Sequence, residues 1–147
     1  MRKMPIGAFS ADWHWMTRTP EYRKEICPFN DVIAAKLATF AAYLRKHSIP
    51  GFVAGDLSDI SRSFNDWWTL REVLRDRFCP TDGERILLHV VPGQHDRFHH
   101  NASDPMTTLN ALLTETNSPL RLIPRAGVFV EDGIRVYGSG WGDEIPK

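Results

Sequence analysis

At 147 residues the chain is long enough for one domain with its own core. Its 42% hydrophobic and 24% charged residues are ordinary globular values, and eighteen basic residues balance eighteen acidic ones. A neutral chain has no global field drawing it to nucleic acid or anionic membrane, so a nucleic-acid role requires a local patch or a metal that engages phosphate. Cys27 and Cys79 are too few for a disulfide scaffold and match no metal-binding spacing. No apolar run nears the ~20 residues needed to span a bilayer, and Met1-Arg2-Lys3-Met4 leads into a strand rather than a signal-peptide core. The expectation is a soluble cytoplasmic protein with no membrane partner.

Residues 5–11 read as a first short strand ending at Asp12. Asn30 or Asp31 can cap a helix running to about Ser48, with Ile33, Leu37, Phe40, Ala41 and Leu44 on one face of a 3.6-residue period. Pro50-Gly51 breaks it, and Phe52-Val53-Ala54 begins a buried strand ending at Gly55-Asp56. A second helix covers about 64–78, with Trp67, Leu70, Leu74 and Phe78 inward. Arg85 to Val91 is apolar almost throughout, as strands covered on both faces are. Asp104-Pro105 places an N-cap before a Pro and opens a third helix to about Glu115. Val128-Phe129-Val130 and Ile134-Arg135-Val136-Tyr137 flank Glu131-Asp132-Gly133, a tight-hairpin signal. Strands alternating with helices predict an α/β domain with right-handed crossovers and a mainly parallel sheet flanked by helices.

Three polar stretches then fall together at the carboxyl ends of the strands, where open α/β sheets bind ligands. They are Asp12-Trp13-His14, Gly55-Asp56-Leu57-Ser58-Asp59 and Gly93-Gln94-His95-Asp96. In Asp12-Trp13-His14 an extended backbone would point both outer side chains to one side. A carboxylate with an imidazole suits Mn²⁺, Fe²⁺ or Zn²⁺ better than Mg²⁺ or Ca²⁺, which prefer oxygen shells. Asp56 adds a carboxylate able to bridge two cations. Asp59 either orients a ligand from behind or caps the next segment. Gln94, His95 and Asp96 supply an amide, an imidazole and a carboxylate in succession.

The ordered set Asp-x-His, Gly-Asp-x-x-Asp and Gly-Gln-His-Asp resembles the calcineurin-like metallophosphoesterases, through residues 6–96 and more weakly to Trp141. The Gln-His-Asp form, followed by His99 and His100, looks like a phage-borne subgroup, which places the protein in a bacterial or phage-infected cell. The resemblance implies a phosphoester hydrolase with two divalent cations, Mn²⁺ first, with Fe²⁺, Zn²⁺ or Ni²⁺ as alternatives. By it, Asp12 and His14 would hold the first metal, Asp56 would bridge both, and Gln94 would bind the second through its amide where the family has Asn. His95 would be the general acid near the leaving oxygen, with Asp96 setting its tautomer.

The family completes both metal sites with later histidines, and no histidine follows His100. The expectation is therefore a single, C-terminally incomplete domain, the N-terminal half of the usual β-sandwich. The alternative is a degenerate, non-catalytic binding module of the same fold. His99 and His100 are candidates to substitute for the missing ligands. The substrate is a phosphodiester or phosphomonoester, with nucleic acid or a nucleotide as the nuclease-like case. Arg18, Arg23 and Lys24 could contact a phosphate backbone, and Trp13, Trp15, Trp67 and Trp68 could stack on bases, although Trp67 at helical spacing reads as core. A homo-oligomer stays open.

Overall fold

Each of the first three apolar runs is followed by a helix long enough to carry the chain back across a sheet, which makes successive strands parallel. The computed structural model describes residues 4–17, 28–59, 64–81, 85–97, 107–115, 117–123, 127–130 and 134–140. The order is β1 (Ala8–Ser10), α1 (Phe29–His47), β2 (Gly51–Ala54), α2 (Phe64–Phe78), β3 (Leu88–Val91), α3 (Thr107–Thr114) and β4 (Leu120–Leu122). A hairpin of β5 (Val128–Phe129) and β6 (Arg135–Val136) follows. The sheet runs β1-β2-β3-β4, parallel at every step. β5 and β6 pair antiparallel, as the Asp-Gly signal requires.

Helix α1 buries Phe29, Ile33, Leu37, Ala41 and Leu44. It starts one residue before Asn30, behind Pro28, and no side chain caps it; the Pro28 carbonyl accepts from Asp31 N–H instead, at 3.2 Å. Ser48 ends it in the left-handed region at φ 53°, returning its N–H to the Arg45 carbonyl. α2 buries Trp67, Leu70, Leu74 and Phe78, each at 2% exposure or less, as its period dictates. These helical stripes meet Val53, Leu88, Val90 and Leu120 in one core. Each fully buried Leu or Val adds about 1.5–3 kcal/mol. The strand order never reverses, so right-handed crossovers put the helices on the same face, and α1 touches α2 as α2 touches α3.

The opposite face carries a cross-strand row, Phe9, Phe52, His89 and Arg121, set by register. Phe52 is stacked between Phe9 at 5.0 Å and His89 at 5.4 Å. His89 sits on this face away from the strand ends, and burial, and then the charge of Arg121, lower its pKa. β4 is the element the sequence reading lacked. β1 and β3 are shorter than the apolar runs that announced them. The proposed N-cap at Asp104, the turn at Glu131-Asp132-Gly133 and Trp141 lie outside the described residues. Among those described, no helix is long and apolar enough to cross a membrane.

Candidate metal centre

All three polar stretches leave the same edge of the sheet, because β1, β2 and β3 are parallel neighbours. Pairing does not stop where the strands do. Asp12 N–H donates to the Gly55 carbonyl at 3.2 Å, His14 N–H to Asp56 at 2.9 Å and Trp15 N–H to Leu57 at 3.0 Å; Asp59 N–H returns to Trp15 at 3.1 Å. The first two loops therefore run side by side into the site.

Their backbone is not simply extended. Asp12, His14 and Asp56 sit at φ 52°, 45° and 51°, in the left-handed region that costs a residue with a Cβ about 1–2 kcal/mol. Such conformations persist where surrounding structure over-determines them, and they cluster at functional sites. Trp13 and Trp15 do the anchoring between these residues. Both are buried, at 4% and 3% exposure. Their indole N–H groups donate to Ser10 Oγ at 2.8 Å and Thr69 Oγ1 at 2.9 Å. With Trp67 also buried, three of the four tryptophans considered for base stacking are structural, and Trp68 alone is exposed, beneath the Arg71 guanidinium.

The two glycines in the motifs have a steric reason. A Cβ on Gly55, itself at φ 73°, would overlap the Gly93 backbone, and a Cβ on Gly93 would overlap Asp56. This close approach lets Asp96 tie the second and third loops together. Its carboxylate accepts from Leu57 N–H at 2.9 Å and Gly93 N–H at 2.8 Å. Asp96 is 1% exposed, and burial raises its pKa, against the pull of those backbone donors. Both Asp96 oxygens accept from backbone N–H groups, and His95 Nδ1 pairs with Asp59.

Asp59 is placed to set the His95 tautomer. Its backbone carbonyl lies 2.9 Å from His95 Nδ1. A carbonyl only accepts, so we assign the proton to Nδ1 and the lone pair to Nε2. The Asp59 carboxylate reaches His14 Nδ1 at 3.2 Å and comes within 3.8 Å of His95 Nδ1. It orients His14 from behind, as carboxylates orient metal-binding imidazoles. His14 Nε2 then faces Asp56 Oδ2 at 4.0 Å, within the ~4.2 Å that one cation with bonds of about 2.1 Å spans. Asp56 Oδ1 accepts the His95 N–H at 2.8 Å. The two imidazoles meet edge to face at 4.8 Å.

Two groups of donors result, with ligand atoms within 4.8 Å of one another: Asp12, His14 and Asp56, and His14, Asp59 and His95. The first is a two-carboxylate, one-imidazole set suited to Mn²⁺, Fe²⁺ or Zn²⁺. No family model, curated protein or solved structure matches this chain. Its chemistry therefore rests on these residues. Gln94 lies in the loop after β3, between Gly93 and His95; it is exposed, and its backbone carbonyl accepts from Arg97 N–H at 3.3 Å. Arg18, Arg23, Lys24, His99 and His100 lie outside the described residues. Asp59 is the site residue whose role the sequence left open, its signal being the three-residue spacing from Asp56.

Proposed function

We propose that the chain is a metal-dependent phosphoester hydrolase of the calcineurin-like metallophosphoesterase type, acting on a phosphodiester or phosphomonoester. One observation carries this reading: Asp12, His14 and Asp56 converge at the edge of a parallel sheet while each holds a strained left-handed backbone. Asp12, His14 and Asp56 would hold a divalent cation, with Asp56 and Gln94 facing a second. Such ions activate water and neutralise phosphoryl charge.

The chain's own residues supply the remainder. Asp59 fixes the His14 ring, so the Nε2 lone pair is presented to the cation rather than to solvent. The Asp59 carbonyl accepts the His95 Nδ1 proton, so His95 would give a proton from Nε2 to a leaving oxygen as the doubly protonated imidazolium. Asp96 and the paired glycines keep the second and third loops at one separation, so His95 and Asp56 stay in register.

The test is Mn²⁺-dependent hydrolysis of a phosphodiester with an alkyl leaving group, with bis-p-nitrophenyl phosphate as the good-leaving-group comparison. His95→Asn should lower turnover ~10²–10⁴-fold with metal affinity nearly intact, the usual worth of a general acid. The loss should be larger with the alkyl leaving group, which needs the proton more. Unchanged turnover would remove His95 from the mechanism. Binding of Mn²⁺ by the wild type with no hydrolysis above background would favour the non-catalytic binding module.

A further inference from the structure

The chain's zero net charge hides a segregation. The carboxylates Asp12, Asp56, Asp59 and Asp96 gather where the strands end, and the opposite end of the domain is cationic. There α1 finishes with Arg45, Lys46 and His47, and α2 with Arg75 and Arg77. The two helix ends are joined, because the Arg45 guanidinium donates to the Arg77 carbonyl. Arg85 and Arg121 enter the same region from before β3 and from β4: together with Arg45 they act on the thiol of Cys79, whose own N–H bonds the Arg75 carbonyl.

Arg45, Lys46, Arg75, Arg77 and Arg85 are exposed, and among the described residues none of them forms an ion pair with a carboxylate. Asp76 is the acidic residue between two of them. Even with Asp82 and Glu84, which lie outside the described residues, and Glu115, which acts on the same thiol while paired with Arg71, counted against the patch, the six cations including Arg121 outnumber the four anions. Part of this charge complements the carboxyl ends of the two helices. Arg85 and Arg121 belong to neither helix, so that explanation does not cover them.

We infer that this end of the domain, remote from the candidate metal centre, is a docking surface for the phosphodiester backbone of nucleic acid. Two features select this partner. The cations are mostly arginine, whose planar fork matches phosphate oxygens in pairs. At their border α1 presents an exposed aromatic, Tyr43, its ring 4.5 Å from that of His47. Exposed rings beside a basic stripe are what single-stranded nucleic acid uses for base stacking. The surface would anchor a polynucleotide independently of hydrolysis.

Fluorescence anisotropy of a labelled 25-nucleotide single strand, with duplex DNA and phosphatidylserine vesicles as separate arms, tests this in EDTA. Lys46→Glu/Arg75→Glu/Arg85→Glu alters exposed side chains that hold nothing else in place. It should weaken single-strand binding roughly tenfold or more at 50 mM salt and reduce the salt slope by about two, since each lost phosphate contact removes ~0.7. Tyr43→Ala should cost about fivefold to a hundredfold with little change in that slope. Asp56→Ala should bind as wild type, which separates failure of this surface from failure of the metal centre. Equal affinity and slope in the triple variant would overturn the inference, as would tighter, variant-sensitive binding to vesicles than to either nucleic acid.

Discussion

The helical layer and the loop edge of this domain solve different problems with the same chain. In α1 and α2 every buried position follows a 3.6-residue period and the backbone is relaxed. At the edge beyond β1, β2 and β3, Asp12, His14 and Asp56 adopt left-handed conformations, and Gly55 and Gly93 press two backbones together. The helices gain stability from burial. The edge spends some of it on geometry, and the residues held there are those with metal-binding chemistry. Strain localised on candidate ligands is a better sign of function than the ligands' identity alone.

The sharpest way to break this contrast is a single methyl group in each region. Gly55→Ala adds a Cβ at φ 73° against the Gly93 backbone. Left-handed strain of about 1–2 kcal/mol and overpacking of about 1–3 kcal/mol predict a loss of roughly 2–5 kcal/mol. Ala42→Gly, on the exposed side of α1, should cost only about 1 kcal/mol. Urea denaturation of both variants would settle the comparison; equal losses would mean the loop edge is no more constrained than a helix surface.

A smaller effect sharpens the role of Asp96. Its two oxygens accept from the backbone N–H groups of Leu57, Ser58 and Gly93, and asparagine has one acceptor and one donor for the same places. Asp96→Asn therefore leaves a buried N–H facing an amide N–H, at about 1–3 kcal/mol. The relief of carboxylate burial, seen in its raised pKa, offsets part of that loss. Thermal melts at neutral pH should show a lower Tm. An unchanged or higher Tm would mean burial of the charge outweighs the staple.

Much of this architecture is legible in the residues themselves. α2 occupies 64–78 as its period predicts, and Asp12, His14 and Asp56 come together because β-α-β order forces parallel strands. What was not legible has physical reasons. β4 is three residues, Leu120-Arg121-Leu122, too short for alternation to register. Asp59 and Asp96 look equivalent as carboxylates near His95, and only the close approach of Gly55 to Gly93 decides which is buried as a staple and which faces the imidazoles. Trp13 and Trp15 alternate with Asp12 and His14, but which set points inward depends on the neighbouring loop. The cationic end is invisible to a net charge of zero because its residues come from three elements and the segment before β3, scattered along the sequence.

The central claim is that the strained edge exists to hold a divalent cation. Isothermal titration of Mn²⁺ into the wild type and Asp56→Ala tests it most directly, with circular dichroism confirming that both are folded. The account predicts saturable binding by the wild type and affinity at least tenfold weaker once Asp56, which faces His14 Nε2 at 4.0 Å, is removed. Indistinguishable titrations of two folded proteins would contradict it.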